Sequence, residues 1–309
     1  IGVAGAALAF MNKKRSSTSP VLAGDPRVSV DTPGAALLVT ATLALIGIID
    51  RRVMEVVPAG WWTVLILAFV GLFIGFLIRE GTATSPILNL SLFKIRMFAF
   101  STFCHLLVSI TQALTVFLLP FYLQEVLHLS PSFMGILFMS APAFAIALSP
   151  VSGYLFDKVG PRIPATIGVV LFGASSFLGI MLRTDSHWLL PTLILALGGL
   201  GNALFFPPNH AAMIGSVPTE HRGVATGSVY MAFGLGNIFG ITLGRFLMTA
   251  AFRFHIGLSA TILTTEHPTA FVAALNTTFI VVVGICLVSV ILSLMRGTRV
   301  EPVQGTSLL

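Results

Sequence analysis

The chain has 309 residues, of which 56% are apolar and only 9% charged, and its mean hydropathy is +0.97. Soluble domains carry about a quarter charged residues, so water is not its main solvent and a soluble enzyme is excluded. The net charge of +6 does not indicate a nucleic-acid partner, because the basic residues lie scattered in short connections between apolar runs.

The composition includes 29 Gly and 17 Pro, which suits membrane helices whose neighbours satisfy the backbone and favours packed helices over a β-barrel. Cys104 and Cys286 are the only cysteines and stand alone in apolar runs. They form neither a disulfide framework nor a metal site, and no cofactor or metal is expected.

Residues 1–11 have no basic flank and no small-residue cleavage site, and they read as the end of a truncated transmembrane helix. Residues 12–32 are polar, with Lys13, Lys14, Arg15, Pro20 and Pro26, and read as a cytoplasmic linker. A bilayer crossing needs roughly 20 apolar residues. Such runs are expected at Gly34–Ile49, Trp61–Ile78, Phe98–Leu123, Phe133–Phe156, Ile163–Leu182, Leu189–Ile214, Val224–Phe252 and Thr269–Met295, an all-α bundle of about eight crossings. Residues 33–78 hold the first two. Residues 79–97 connect them to the six helices of 98–296, and 297–309 form a tail. Within the connection, Ile87, Leu88, Leu90, Leu92 and Phe93 either lie along the membrane interface as an amphipathic segment or belong to an ordinary loop.

Orientation follows from the basic residues of alternate loops. Lys13, Lys14, Arg15, Arg27, Arg79, Lys94, Arg96, Lys158, Arg162, Arg222, Arg296 and Arg299 fall on one side, against Arg51, Arg52, Arg183, Arg245 and Arg253 on the other. The richer side, with the C-terminus, is expected to be cytoplasmic. Trp61, Trp62 and Trp188 then anchor outer helix ends.

Ser101, His105, Ser109, Gln112 and Thr115 recur at spacings of four and three, which places them on one side of their helix. Polar groups facing lipid are costly, so this stripe should face protein or a watery cavity. Asn202 and Asn209 share a face of a later helix, near Phe205 and Phe206. Each of these residues is a candidate for substrate contact, with interhelical hydrogen bonding as the alternative. His105 could relay protons or simply pack. Gly236, Gly240 and Gly244 repeat every four residues, as close helix packing requires. Pro207 and Pro208 mark a hinge or a fixed kink. Arg245 could bind an anion, but its place near the outer end suits snorkelling. Ser101 and His105 are the nearest approach to a Ser–His enzyme site, and no acid orients the imidazole. No catalytic residue is assigned.

The connection after Phe156 places Asp157 at a helix C-terminus, where the macrodipole disfavours an anion. A partner is therefore expected from Arg162, Lys158 or a neighbouring helix N-terminus. Gly160 permits a tight turn and Gly153 a close helix contact.

Gly153, Leu155, Asp157, Lys158, Gly160 and Arg162 resemble the signature loop of the major facilitator superfamily. Leu119-Pro120-Phe121-Tyr122-Leu123-Gln124, Leu129-Ser130-Pro131, Phe206-Pro207-Pro208, Val217 to Gly223 and Gly227 narrow the resemblance to the second half of its fourteen-helix drug:proton antiporters. Asp31-Thr32-Pro33-Gly34 and the stretch 86–98 resemble that family's extra helix pair and the lead into its last six helices.

The resemblance implies an α-helical secondary transporter of the plasma membrane, or of the inner membrane in a Gram-negative cell. It implies efflux of amphipathic or cationic small molecules in exchange for protons, with an N-terminal six-helix bundle as partner. All 11 acidic residues fall in loops or at helix ends, whereas an intramembrane carboxylate is the usual proton carrier, so coupling is expected on that missing bundle. Export of one endogenous metabolite or siderophore, an intramembrane enzyme and a non-transporting scaffold are the other readings.

Overall fold

A computed structural model describes residues 31–49, 59–82, 88–256 and 267–297. The expected helix end at 1–11, almost all of the 12–32 linker and nearly all of the tail lie outside these residues, as do the side chains of Trp61 and Trp62. The described residues form helices and no strand. In chain order these are α1 (Thr32–Ile49), α2 (Ala59–Thr82), α3 (Arg96–Phe121), α4 (Pro131–Phe138), α5 (Ser140–Val159), α6 (Arg162–Ile180), α7 (Leu189–Gly215), α8 (Arg222–Ile256) and α9 (Pro268–Met295).

Seven spans are long and apolar enough to cross a membrane, and α1 supplies a shorter apolar helix, Pro33–Ile48. The α-helical bundle therefore stands, with one of the eight expected crossings short. The α4 and α5 helices form a single span, Pro131–Val159, that is tightened at Met139, whose N–H reaches both Gly135 O and Ile136 O. Past Pro120, α3 runs into a π-helical turn at Tyr122–Val126. Pro207 and Pro208 leave α7 continuous from Leu189 to Gly215.

Lipid tails are as apolar as leucine, so burial of apolar surface does not drive these helices together; close packing and interhelical hydrogen bonds must. Small residues make that packing possible. A Cβ at Gly240 would lie 2.5 Å from Ile110 O, and Gly236 and Gly244 meet Leu106–Ser109 and Leu114, so α8 lies directly on α3. Gly168 and Gly201 bring α6 and α7 into backbone contact, and Gly199 seats α7 on Ala141. Cys104 Sγ bonds Ser289 O at 3.4 Å, and the hydroxyls of Thr166 and Ser293 meet at 2.7 Å, fastening α9 to α3 and α6. Large apolar side chains such as Phe177, Phe254 and Ile280 point outward, as a lipid-facing surface requires.

The hairpin of α1 and α2 packs chiefly on itself and touches the bundle at α8. Asp31 caps α1 through Gly34 N–H at 3.2 Å and pairs with Arg79 at 3.1 Å, closing the end of the hairpin. Glu80 accepts from Leu88 N–H at 3.0 Å. The described part of the connection then forms a 3₁₀ turn, Leu90–Lys94, capped by Asn89. Leu92 is buried there with Phe98, Met213, Val217, Ala225 and Val229, and Phe93 packs against them. Leu88 and Leu92 are buried, Leu92 plugging the bundle's basic end, whereas Leu90 is exposed and Ile87 lies outside the described residues.

Candidate functional site

The candidate residues separate into two zones that share the helix α3. A cavity of about 360 Å³ opens among α3, α5, α6 and α7. Its walls are Gln112, Thr115 and Val116 of α3; Ala141, Pro142, Ala145 and Ile146 of α5; Phe172, Ser175 and Ser176 of α6; and Ile194, Leu195, Gly198, Gly199 and Asn202 of α7. Among the described residues no charged side chain lines it. The hydroxyls of Thr115, Ser175 and Ser176 donate to Thr111 O, Ile194 O and Phe172 O at 3.0, 2.8 and 2.9 Å. The carboxamides of Gln112 and Asn202 are half-buried, and no hydrogen bond to a described residue is formed by either.

The second zone is a buried polar cluster towards the basic end. Arg296, 1% exposed, turns back from the end of α9 and donates through Nη1 to Asn209 Oδ1 at 2.8 Å, through Nε to Ser293 O at 3.2 Å, and through Nη2 to Ser293 Oγ. Among the described residues no carboxylate pairs with it. Because Asn209 Oδ1 accepts from the guanidinium, its Nδ2 faces Ser101 O at 3.2 Å and His105 Nδ1 at 3.3 Å. Met213 Sδ lies 3.6 Å from the same Nδ2, so its two protons have three acceptors within reach. His105 stacks on His210 at 4.9 Å between ring centroids and meets the edge of Phe206 at 5.2 Å. His105 Nε2, Ser101 Oγ and Ser109 Oγ are buried without a hydrogen-bond partner.

The polar stripe of α3 is therefore divided. Gln112 and Thr115 reach the cavity, joined by Asn202, while Ser101, His105 and Asn209 are fully buried in the cluster and Ser109 lies under Gly236. Phe205 belongs to neither cavity wall nor opening; it is buried against Gly168. Two geometric facts explain the split. His105 and Gln112 lie roughly 10 Å apart along the helix axis, and the mixed spacings rotate Ser109 about 120° from Thr115.

At the signature loop Gly160 adopts φ 74°, a conformation that glycine tolerates at no steric cost. Asp157 is exposed, and the expected pairing with Arg162 or Lys158 is absent. Lys158 Nζ instead sits 4.5 Å from the centre of the Tyr154 ring. A Cβ at Gly153 would meet nothing within 4 Å, so its expected close contact is with none of these helices. Arg245 is half-buried on α8.

The family model described as Major Facilitator Superfamily matches residues 101–307. The chain belongs to the Major Facilitator Superfamily. Among its relatives, it is 26% identical over 287 residues to the riboflavin transporter RibZ of Clostridioides difficile, covering 90% of this chain and 59% of that protein. It is 30% identical over 228 residues to the tetracenomycin C resistance and export protein of Streptomyces glaucescens, covering 72% and 41%. It is 30% identical over 184 residues to the multidrug transporter MdtP of Bacillus subtilis, covering 60% and 34%. The chain thus spans between about a third and three fifths of the length of these curated relatives. They are transporters, and this is a transporter family rather than an enzyme family.

In this superfamily member, sequence reasoning missed Phe172, Ser175 and Ser176 on the cavity wall and Arg296, Ser293 and His210 in the cluster. Arg296 entered only as a loop charge. Its spacing of three from Ser293 in an otherwise apolar helix end was a readable signal of inward-turned polarity.

Proposed function

We propose that the chain is the second bundle, with an extra helix pair, of a secondary transporter that exports amphipathic small molecules across the plasma membrane, with its C-terminus in the cytoplasm. The observation that carries this is the cavity itself. An opening with apolar walls and a few polar groups fits small-molecule binding, and it lies in a chain whose relatives are named as riboflavin, tetracenomycin C and multidrug transporters. The basic residues gathered at the ends of α2, α5 and α9 and the starts of α3, α6 and α8 support the orientation.

Alternating access requires a second bundle rocking against the first around a shared site, and that partner lies outside this chain. Proton exchange as the driving force belongs with it, because the described acids are at helix ends or in connections: Asp31 and Glu80 are tied into the hairpin, and Glu125, Asp157, Asp185 and Glu220 lie at span ends or between spans. A cationic substrate would also need its counter-charge from the partner. Export of one specific metabolite is the second reading, favoured by the riboflavin transporter's match to 90% of the chain.

The test is Gln112→Ala in the complete transporter. A substrate-contact role predicts a changed ranking of substrates at unchanged protein abundance. Equal losses for all substrates with reduced detergent stability would move Gln112 from the site to the scaffold.

A further inference from the structure

We infer that Gln112 and Asn202 act as a pair that recognises the uncharged donor–acceptor edge of a flat, largely apolar ligand, such as an amide, imide or lactam. This rests on the cavity being the substrate site and adds the chemical class that its wall selects.

The argument begins with which polar atoms are free. Thr115, Ser175 and Ser176 have spent their hydroxyl protons on backbone carbonyls, so they offer a ligand only oxygen lone pairs. Gln112 and Asn202 retain the full hydrogen-bonding capacity of a carboxamide, two N–H donors and a carbonyl acceptor each. They stand on facing helices, α3 and α7, at one cavity. Unsatisfied amides at membrane depth are costly, and a ligand edge presenting both a donor and an acceptor satisfies them together.

The rest of the wall sets the remainder of the chemistry. Val116, Pro142, Ala145 and Ile146 provide accessible apolar surface for a ring system. Among the described residues no carboxylate lines the cavity, so a cation entering this wall would lose water without gaining a counter-charge, which is strongly unfavourable. A neutral ligand incurs no such cost.

The probes are three flat, similarly sized dyes, with binding read by fluorescence to the full chain in lipid nanodiscs: 1,8-naphthalimide, its N-methyl derivative and N-methylacridinium. The wild-type chain should bind naphthalimide about tenfold more tightly than N-methylacridinium, and more tightly than the N-methyl imide, which has lost its donor. Asn202→Asp, of nearly unchanged size, should raise acridinium binding and reverse the order, a gain that misfolding cannot produce. Acridinium binding equal to or tighter than naphthalimide binding in the wild type, or an undiminished preference for naphthalimide over its N-methyl derivative in the Gln112→Leu/Asn202→Leu double variant, would overturn the inference alone. Ala145→Trp, which fills the cavity, should abolish naphthalimide binding; if it leaves all three probes unaffected, the location of the substrate site falls as well.

Discussion

Asn209 is a single residue that joins three helices, because its amide accepts from Arg296 of α9 and donates towards Ser101 and His105 of α3. Hydrogen bonds to charged groups contribute about 1.5–3 kcal/mol, and a buried donor left unpaired costs more than a lost contact. Asn209→Ala should therefore lower the stability of the detergent-solubilised chain by about that amount, measured by thermal unfolding; an unchanged midpoint would show that the cluster contributes nothing. The same geometry bears on His105. In the sequence it was a titratable group within a polar stripe, open to proton relay or packing. In the structure its ring is fully buried and its Nδ1 lies 3.3 Å from the Asn209 amide, a packed position within the cluster. That distinction was invisible in sequence because it depends on Arg296 folding back beneath α7. Asp157 shows the reverse: its placement at the end of α5 was legible, but the expected local partner is absent, leaving the carboxylate available to a helix N-terminus of another bundle. Asp157→Asn in the complete transporter should reduce transport while membrane insertion persists; normal transport would contradict a gating role.

Helices as elements were the most legible level, since apolar run length sets the crossings and four-residue glycine spacing sets the contact of α8 with α3. Gly240→Leu should separate that pair, at a cost of about 1–3 kcal/mol for overpacking, and should lower the yield of folded chain on size-exclusion chromatography. The tightening at Met139, the π turn after Pro120 and the plug formed by Leu92 were not legible, because they arise from how neighbouring helices fit and leave no periodic trace. The hairpin carries a pH prediction. The Arg79 guanidinium, hydrogen-bonded to Asp31, holds its carboxyl below the ordinary value of 3.8; the Gly34 N–H acts in the same direction and burial opposes both. A lowered folded-state value means that the contribution is present above the ordinary carboxylate range and is lost as pH falls through the lowered value. Asp31→Asn should thus weaken α1–α2 crosslinking at neutral pH, with the difference from wild type vanishing in strong acid. A difference that persists there would point to lost shape rather than lost charge. Because Arg79 is 44% exposed, added salt should also shrink the effect at neutral pH.

On the scale of the whole molecule, the family and the helical architecture were readable from ordered motifs, whereas the cavity was readable only in part. Gln112, Thr115 and Asn202 were found because polar residues stand out in apolar helices. Phe172, Ser175 and Ser176 were not, since serine and phenylalanine are ordinary in such helices and only the packing of α6 against α7 brings them to the wall. What the molecule holds is one wall of a site and no acid at membrane depth among its described residues, so the account makes it half of a moving pair. The most direct measurement is substrate movement in proteoliposomes that contain this chain alone, under an imposed pH gradient. The account predicts correct insertion and no gradient-driven transport above protein-free vesicles. Robust gradient-driven transport that is lost in His105→Ala would contradict it, since one chain would then supply both the moving parts and the proton carrier.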